Sequence, residues 1–442
     1  MRHPQAKELP AALPPPVPRL VPVPGSCVPA RTDPPAPQAG HDGPGTHGTP
    51  PAGILPADLA DARAIDTDVP AAVGRMLDHL LADRLDRAHL VDPLFAKDLA
   101  ERVTRFTREG GKRSRPQLLW WSARACGGPE PAGASAALRI GAALELLQTC
   151  ALVHDDVMDR SPLRRGRPAL HADLSVRYAD QVPAGPAGRF GESAAILAGD
   201  LALAWADDVV AETPLPAWTT IAVRRLWSDM RLEMVAGQYL DLHGQTVAAR
   251  SLPRTLRAAC LKSALYSVER PLALGAALAG ADSVTVQKIC TVGRRIGMAF
   301  QLRDDVTDVF GDARHTGKPC GGDIREGKAT YLVVLARACA EADDDRAALK
   351  VLDRCVGNAA LTAADLDEVR EVLVRTGARA AVETKIERLV EQGLRHFDSA
   401  LLDPDGGRRL RRLLVSAVDV TAPPEPAGRV AQAAPGRGED RR

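Results

Sequence analysis

The chain contains 442 residues, which on length alone is enough for one large domain or for two or three smaller ones. Its 57 Lys and Arg residues are balanced by 56 Asp and Glu residues, so the net charge gives no electrostatic reason to expect nucleic acid or an anionic membrane as a partner. The eight cysteines are scattered without a CxxC pair or a zinc-type spacing, a pattern typical of reduced thiols in a cytoplasmic protein. We see no run of 18 or more apolar residues and no uninterrupted apolar stretch near the N-terminus, and we therefore expect no stable membrane insertion.

The two ends of the chain are predicted to be disordered. Fifteen of the first 51 residues are proline, interleaved with Gly, Ala and His and lacking an apolar period. Residues 1–65 therefore cannot bury enough surface to offset the loss of conformational entropy. Residues 421–442, which contain Pro, Gly, Arg and Glu, have the same character. One folded domain over residues 66–420 remains.

This folded domain is predicted to be all-α. It begins at Asp68-Val69-Pro70, a helix cap followed by a proline suited to the first helical turn. Aromatic residues make up 3% of the chain, and no period-two run of β-branched residues indicates a strand. Ala136–Val157 is apolar nearly all round, which predicts a central helix enclosed by others. The Pro- and Gly-rich stretch Gln181–Gly191 is typical of a loop, and Arg294–Val309 is predicted to be a second apolar helix.

Each of the two apolar helices ends in an aspartate cluster of the same form. The first is Asp155-Asp156-Val157-Met158-Asp159, and the second, about 150 residues later, is Asp304-Asp305-Val306-Thr307-Asp308. Residues four apart share a face of a helix, so each cluster presents a row of carboxylates. Carboxylates this crowded are costly to bury unless hard cations neutralise them, and Mg²⁺ prefers oxygen ligands that it shares with substrate phosphates. A single cluster of this kind is more often a solvated surface, but the repeated pair predicts a site for Mg²⁺ and a diphosphate.

Cationic segments accompany the clusters. The segment Gly110-Gly111-Lys112-Arg113-Ser114-Arg115-Pro116 lets backbone and side chains converge on an anion, although a plain basic loop between helices explains it equally well. The segment Arg164-Arg165-Gly166-Arg167-Pro168 follows the first cluster, and Arg supplies paired donors to phosphate oxygens. Lys318 and Lys328 follow the second cluster on Gly-containing loops, from which we expect them to reach the same phosphates.

With these motifs in this order, the chain resembles the trans-isoprenyl diphosphate synthases of the polyprenyl synthetase family from about residue 70 to 400. The resemblance is carried by the segments GGKRSRP, ELLQTCALVHDDVMDRSPLRRGRP, AGD at 198–200, GQ at 237–238, KSALYSVERP from Lys262, FQLRDDVTDVFGD, TGKP and DIREGK. It implies a single bundle of long helices around a central cavity, usually a homodimer. It also implies a prenyltransferase that condenses isopentenyl diphosphate with an allylic diphosphate by ionisation, condensation and elimination.

The resemblance also implies a role for each site residue. Three carboxylates would bind three Mg²⁺ ions and three others would support them: Asp155, Asp159 and Asp304, then Asp156, Asp305 and Asp308. The positions that match the allylic diphosphate site are Arg164, Lys262, Lys318 and Lys328, with Ser263 in place of a commoner Thr. Those that match the isopentenyl diphosphate site are Lys112, Arg115, Arg165 and Gln148. Many members of the family have His at the last of these positions.

Helical spacing adds one further catalytic candidate. Gln301 lies one turn before Asp304 on the same face of the predicted helix, so its amide oxygen is placed to stabilise an allylic cation. A plain helix-packing amide is the alternative, because buried polar groups generally find partners.

Product length is predicted from the helix that carries the first cluster. Ala151 lies one turn before Asp155, and Cys150 is its neighbour. Both are small, whereas short-chain members of the family often have aromatic residues at these positions. We therefore expect a C20 product, geranylgeranyl diphosphate, with farnesyl diphosphate or a longer polyprenyl diphosphate as the alternatives.

Two other classes of protein share part of this pattern. A class I terpene cyclase also ionises a Mg²⁺-bound isoprenoid diphosphate, but it generally pairs one aspartate-rich motif with a different metal motif and needs no GGKRSRP segment. A non-catalytic regulatory subunit typically lacks an aspartate or a diphosphate-binding cation, and every matched residue is present in this chain. The preferred allylic starter and the pathway served are not encoded in these motifs.

Overall fold

The fold is all-α, as predicted. The computed structural model describes residues 59–128, 131–246, 251–311 and 320–418. Through the first aspartate cluster, the helices are α1 (Ala62–Thr67), α2 (Val69–Val91), α3 (Pro93–Phe95), a π-helical turn (Ala96–Ala100), α4 (Glu101–Arg108), α5 (Ser114–Ala125) and α6 (Pro131–Met158).

A short hairpin and another set of helices lead to the second cluster. They are β1 (Leu163–Arg164), β2 (Arg167–Pro168), α7 (Leu170–Arg177), α8 (Ala184–Glu212), α9 (Ala217–Thr246), α10 (Leu252–Ala259), a π-helical stretch that we call the π segment (Cys260–Glu269), α11 (Arg270–Leu278) and α12 (Ser283–Phe310). The remaining helices are α13 (Gly322–Glu326), α14 (Tyr331–Ala342), α15 (Arg346–Cys355), α16 (Ala363–Arg375), α17 (Ala378–Asp398) and α18 (Pro404–Val418).

The helical domain begins a few residues earlier than predicted. The side chain of Asp68 caps α2 by accepting the backbone N–H of Ala71 at 2.9 Å, with a proline in the first turn, as expected. Helix α1 precedes this cap, however, and its Ile65 is fully buried. A distant contact fixes α1, since Trp120 Nε1 of α5 donates to Asp66 Oδ1 at 2.8 Å, and no local pattern reports such a contact. The rest of the predicted disordered ends lies outside the described residues.

Helix α6 is the enclosed helix that its sequence predicts. It packs against α8, α5 and α2, and both Leu144 and Leu147 are fully buried. Its stretch Gly133–Met158 is long and apolar enough to cross a membrane by length and composition, with a mean hydropathy of 1.5 in its most apolar window. However, 78% of that window is buried inside the protein, as in the core helix of a helical bundle.

The stretch Gln181–Gly191 is not the loop that its composition predicts. Helix α8 begins at Ala184, so Pro186 and Gly188 lie within its first turns. The first N–H groups of a helix have no partner within it, so a proline there forfeits no hydrogen bond. Packing of α8 against α6 and α7 then outweighs the low helix propensity of its glycines.

The π segment is held tightly between α9 and α12. Glycines stand at the points of closest approach, where a side chain has no room. A Cβ added at Gly237 of α9 would lie 2.7 Å from the Cα of Lys262, and one added at Gly293 of α12 would lie 2.6 Å from the Cα of Glu269. Turns of π-helix are rare and are frequently found at functional sites. This one carries Lys262 towards the end of α6, where the first aspartate cluster lies.

Candidate active site

Asp155 lies among polar side chains from three different elements. Lys262 of the π segment places its Nζ 3.2 Å from Asp155 Oδ1 and 2.8 Å from Oδ2 of Asp241 on α9. Gln238, one turn before Asp241, donates from Nε2 to the same Asp155 oxygen at 2.8 Å. Burial disfavours the charged form of Lys262, but the two carboxylates outweigh it and raise its pKa. Lys262 is therefore a stable cation beside the first cluster.

Asp156 is buried and holds the hairpin in place. Its side chain is 1% exposed and accepts hydrogen bonds from Nε of Arg164, at 2.8 Å, and from Nη2 of the same residue. Arg164 lies on β1, and the two turn residues that follow, Arg165 and Gly166, have φ of 55° and 74°, as a two-residue hairpin requires. Burial raises the pKa of Asp156, and Arg164 acts in the opposite direction. This geometry fits the supporting role predicted for Asp156.

Lys328 joins the two aspartate clusters. Its Nζ lies 3.2 Å from Asp159 Oδ2, 3.5 Å from Asp323 Oδ1 and 2.7 Å from Glu326 Oε2. Asp323 in turn donates its backbone N–H to Oδ2 of Asp308 at 3.1 Å. Burial disfavours the lysine's charge, but the surrounding carboxylates prevail and raise the pKa of Lys328. Asp159 of the first cluster and Asp308 of the second thus belong to one network of polar contacts.

Burial raises the pKa values of carboxylates in and beside the second cluster. Asp305 is 5% exposed, and burial raises its pKa well above the ordinary value, although Gln301 Nε2 donates to its Oδ1 at 2.7 Å. Burial also raises the pKa of Asp308, and it raises the pKa of Asp323 to about 7. Asp304 is exposed. Crowded carboxylates whose charge is disfavoured are typical of a site that a cation completes.

Among the described residues, no three Asp, Glu, His or Cys side chains are close enough together to enclose a metal ion unaided. Asp155 and Asp159 are instead paired with Lys262 and Lys328. Such an arrangement fits Mg²⁺, because this ion usually binds through one or two carboxylates together with water and substrate phosphates.

A second group of polar side chains surrounds Tyr266 of the π segment. The Arg115 guanidinium lies over the Tyr266 ring, with Cζ 4.5 Å from the ring centroid, and its Nη2 donates to Ser267 Oγ at 2.8 Å. The Tyr266 hydroxyl donates to Oε1 of Gln148 on α6 at 2.9 Å. Arg115 and Gln148, both predicted to contact isopentenyl diphosphate, are therefore brought together by a residue that the sequence did not single out.

The cationic residues near Gly110 and Gly111 are either available to bind an anion or paired within the core. Lys112 is exposed, and Arg165 donates from Nη1 to the backbone oxygen of Glu109 at 3.2 Å. Arg113 is buried and donates from Nη1 to Oε2 of Glu145 at 2.7 Å within the core. Lys112 and Arg165 thus retain donors for an anion, whereas Arg113 anchors the segment. Lys318 lies outside the described residues.

The two residues predicted to set product length differ in exposure. Cys150 is 2% exposed, and its Sγ lies 3.8 Å from Nδ1 of His154. Ala151 is half-buried. Ala151 is therefore the more accessible of the two to a growing chain.

Comparison with known proteins identifies the family. Residues 96–373, more than half of the chain, match the profile described as Polyprenyl synthetase. The chain belongs to the polyprenyl synthetase family. The geranylgeranyl pyrophosphate synthase from Corynebacterium glutamicum, solved with isoprenyl diphosphate and magnesium, superposes on this polyprenyl synthetase with a TM-score of 0.73 and 34% identity, over 79% of this chain and 98% of that one. This shows that the all-α bundle is the isoprenoid synthase fold, and it confirms the predicted prenyltransferase class.

Curated relatives of this polyprenyl synthetase differ in their named products. The farnesyl diphosphate synthase of Geobacillus stearothermophilus is 35% identical over 241 residues, which are 52% of this chain and 73% of the relative. The nonaprenyl diphosphate synthase of Mycobacterium tuberculosis is 30% identical over 377 residues, which are 84% of this chain and 98% of the relative. The relatives share prenyl transfer but not chain length.

Several polar residues of the site were missed at the level of sequence. They are Gln238, Asp241, Asp323, Glu326 and Tyr266. A signal existed for the first two, since Gln238 and Asp241 are three apart and therefore share a helix face beside the GQ motif. The others act through partners on other helices, which no local spacing reveals.

Proposed function

We propose that this polyprenyl synthetase condenses isopentenyl diphosphate with an allylic diphosphate to give geranylgeranyl diphosphate. The observation that carries the proposal is that Lys328 links the first aspartate cluster to the second through Asp323, while Lys262 contacts Asp155 of the first cluster. Carboxylates and cations thus alternate around one site, as binding of a metal diphosphate requires.

The carboxylates present fit the three Mg²⁺ ions that we propose for the site. Asp155, Asp159 and Asp304 would hold the ions, supported by Asp156, Asp305 and Asp308. Burial is the chief cause that raises the pKa values of Asp159 and Asp308, so a bound cation would favour the charged form of both carboxylates. When bound, Mg²⁺ neutralises the diphosphate and favours its departure from the allylic carbon.

The chain's own residues would hold each substrate in a defined place. Lys262, Arg164 and Lys328 contact the allylic diphosphate, exchanging part of their present bonds to aspartates for bonds to phosphate oxygens. Ser263 and Lys318 assist there. The isopentenyl diphosphate lies against Lys112, Arg115, Arg165 and Gln148. Because both diphosphates are held in fixed sites, the isopentenyl double bond lies next to the allylic carbon. This lowers the entropic cost of the condensation step.

Gln301 is proposed to face the allylic cation with its amide oxygen. Its Nε2 is bound to Asp305, so Oε1 is the end that remains for the cation. A preorganised dipole at the developing charge stabilises the transition state. The departing diphosphate then removes the proton in the elimination step.

Turnover by the purified chain is the test of this function. With Mg²⁺, isopentenyl diphosphate and dimethylallyl, geranyl or farnesyl diphosphate in turn, we expect linear all-trans products ending at C20. A cyclic product formed without isopentenyl diphosphate would indicate a terpene cyclase. Inactivity relieved only by a second protein would indicate a regulatory subunit.

The chain-length part of the proposal depends on Ala151. An aromatic side chain there would occupy the more accessible of the two small positions, so Ala151→Phe is expected to shift the product to C15 or shorter. Ala151→Ser, which adds little volume, is the matched control and keeps the C20 product. An unchanged product from Ala151→Phe would show that another surface limits the chain.

We also propose that the enzyme is a cytoplasmic homodimer. Helix α9 carries an apolar stripe that supports the dimer, with Leu232, Val235 and Tyr239 exposed to 70, 61 and 65% at spacings of three and four residues. Exposed apolar stripes often mark protein interfaces. Light scattering of the wild type should give twice the mass of the chain, and Val235→Glu should lower it. A wild-type monomer at micromolar concentration would contradict the proposal.

A further inference from the structure

Tyr266 occupies an unusual position between two residues of the proposed isopentenyl diphosphate site. Its side chain is only 4% exposed, which leaves little of its surface for direct contact with a substrate. Its two functional parts have separate partners: the hydroxyl bonds to Gln148, and the ring lies beneath Arg115. Arg115 is further tied to Ser267, the next residue of the π segment.

The hydroxyl bond has a consequence for the orientation of Gln148. A glutamine amide has an acceptor end and a donor end, and a rotation of its terminal torsion exchanges them. The Tyr266 O–H occupies the acceptor, Oε1. The Nε2 end, with its two N–H donors, is then the end left for a diphosphate oxygen. Burial raises the pKa of Tyr266, so the phenol keeps the proton that this bond needs.

The ring has a consequence for Arg115. A guanidinium 4.5 Å above an aromatic centroid is in cation–π contact, and the bond to Ser267 fixes it further. Arg115 is partly buried but not paired with a carboxylate in any contact that the described structure gives it. Its charge is therefore held in a set direction without being neutralised.

We propose that Tyr266 is a positioning residue for isopentenyl diphosphate: its hydroxyl turns the Gln148 amide so that the N–H donors face the diphosphate, and its ring supports Arg115. The proposal rests on the proposed function, since it assigns a role within that substrate site. It also explains how a glutamine serves at this position, because an amide needs an external partner to select its donor end.

A double-mutant cycle tests the hydroxyl. Tyr266→Phe keeps the ring and removes only the O–H, and we expect the KM for isopentenyl diphosphate to rise about 3- to 10-fold, the range for one lost neutral hydrogen bond. The kcat and the KM for the allylic substrate should change less than about 2-fold. Gln148→Ala should raise the same KM. The double variant should be no worse than Gln148→Ala alone, because the hydroxyl then has no amide to orient.

A second variant separates the ring from the hydroxyl. Tyr266→Leu removes both, so its KM for isopentenyl diphosphate should exceed that of Tyr266→Phe by about a further 2- to 5-fold, the range for an exposed to partly buried cation–π contact. Circular dichroism and thermal melts establish that each variant is folded. Gln148→Glu, which is nearly isosteric and lacks N–H donors, should raise the KM even if the tyrosine variants fold poorly.

Tyr178→Phe is the matched control. It removes a tyrosine hydroxyl that bonds to Asp98, and neither residue is among the proposed site residues, so its KM values should equal those of the wild type. The proposal is overturned if Tyr266→Phe leaves the KM for isopentenyl diphosphate unchanged, or if its full effect persists in the Gln148→Ala background. A wild-type chain that does not incorporate isopentenyl diphosphate would instead overturn the proposed function.

Discussion

The Nζ of Lys328 lies 3.2 Å from Oδ2 of Asp159. A residue that follows the second aspartate cluster therefore neutralises the last carboxylate of the first one. The same ammonium contacts Asp323 and Glu326, so three carboxylates share one cation. Coulombic attraction in this half-buried network offsets the burial of the charge.

Removal of this cation should affect both stability and catalysis. In Lys328→Gln, the three carboxylates lose their common partner, and we expect unfolding free energy to fall by about 1–3 kcal/mol. We also expect kcat to fall at least 10-fold, because a proposed diphosphate contact is lost. Thermal melts and steady-state assays measure the two effects. Lys350→Gln, on the exposed side of α15, is the control and should behave as wild type. Wild-type kcat in Lys328→Gln would exclude the lysine from catalysis.

The carboxylates of the two clusters should be unequal in function. Asp155→Ala and Asp304→Ala each remove a proposed Mg²⁺ ligand and should reduce turnover by more than about 1,000-fold. Asp308→Ala should leave measurable turnover, because the Asp308 side chain accepts a bond from the backbone of Asp323 and is proposed to support the Mg²⁺ ligands rather than to bind the metal directly. Incorporation of labelled isopentenyl diphosphate measures all three. Equal loss in all three variants would place Asp308 among the direct ligands.

Gly237 should be intolerant of even one added carbon. In Gly237→Ala the new Cβ would approach the backbone of Lys262 to less than 3 Å, so α9 and the π segment must separate. We expect a loss of about 1–3 kcal/mol in the free energy of unfolding, as for other overpacked sites, and a lower kcat through displacement of Lys262. Gly74→Ala in α2, where the added Cβ meets nothing within 4 Å, should instead stabilise the protein by about 0.5–1 kcal/mol. Denaturant melts that show the two variants alike would contradict this.

The buried pair of Arg113 and Glu145 should be structural. Arg113→Met leaves the Glu145 carboxylate without its partner in the core, and we expect a cost of about 3–5 kcal/mol. The double variant Arg113→Met with Glu145→Leu should recover most of that loss, because no uncompensated charge remains. Urea unfolding measures the cycle. If the double variant does not recover stability, the Arg113–Glu145 pair must stabilise the fold by more than mutual neutralisation of its two charges.

Three thiols should react slowly over the whole physiological pH range. Burial raises the pKa of Cys150 and Cys290 to about 12 and that of Cys260 to about 11. The thiolate is the reactive form, so alkylation of the native enzyme should increase only as pH approaches those values. Iodoacetamide labelling followed by mass spectrometry at pH 7 and pH 9 tests this, with urea-unfolded protein as the control. Rapid labelling of Cys150 at pH 7 would contradict its burial.

Local patterns were sufficient for the all-α class, for α6 and for the two aspartate clusters. The cap at Asp68 and the apolar run that becomes α6 are visible in the sequence because they depend on neighbours a few residues away. The start of α8 was missed, since composition suggests a loop wherever Pro and Gly gather, whereas Pro186 occupies a first-turn position where proline costs little.

Contacts between distant segments were beyond the reach of local spacing. The bridge from Lys328 to Asp159 depends on how the turn after α13 meets the end of α6. The resemblance placed Lys328 near the substrate, but not its bond to that aspartate. Likewise, the sequence segment KSALYSVERP contains Tyr266 without indicating that it reaches Gln148, because the π-helical turn that directs it has no sequence signature of its own.

In the π segment, the number of residues is as important as their identity, because it sets the direction in which each side chain points. Deleting one residue between Lys262 and Glu269 would change which residues make the i→i+5 bonds of the π segment, and so would change the direction of the side chains after the deletion. Lys262 would still face Asp155, but Glu269 would swing away from Arg294, to which it now bonds at 2.7 and 2.9 Å. The number of residues in the π segment therefore matters: a single-residue deletion would break the connection between Lys262 at the active site and Glu269 in the helical core.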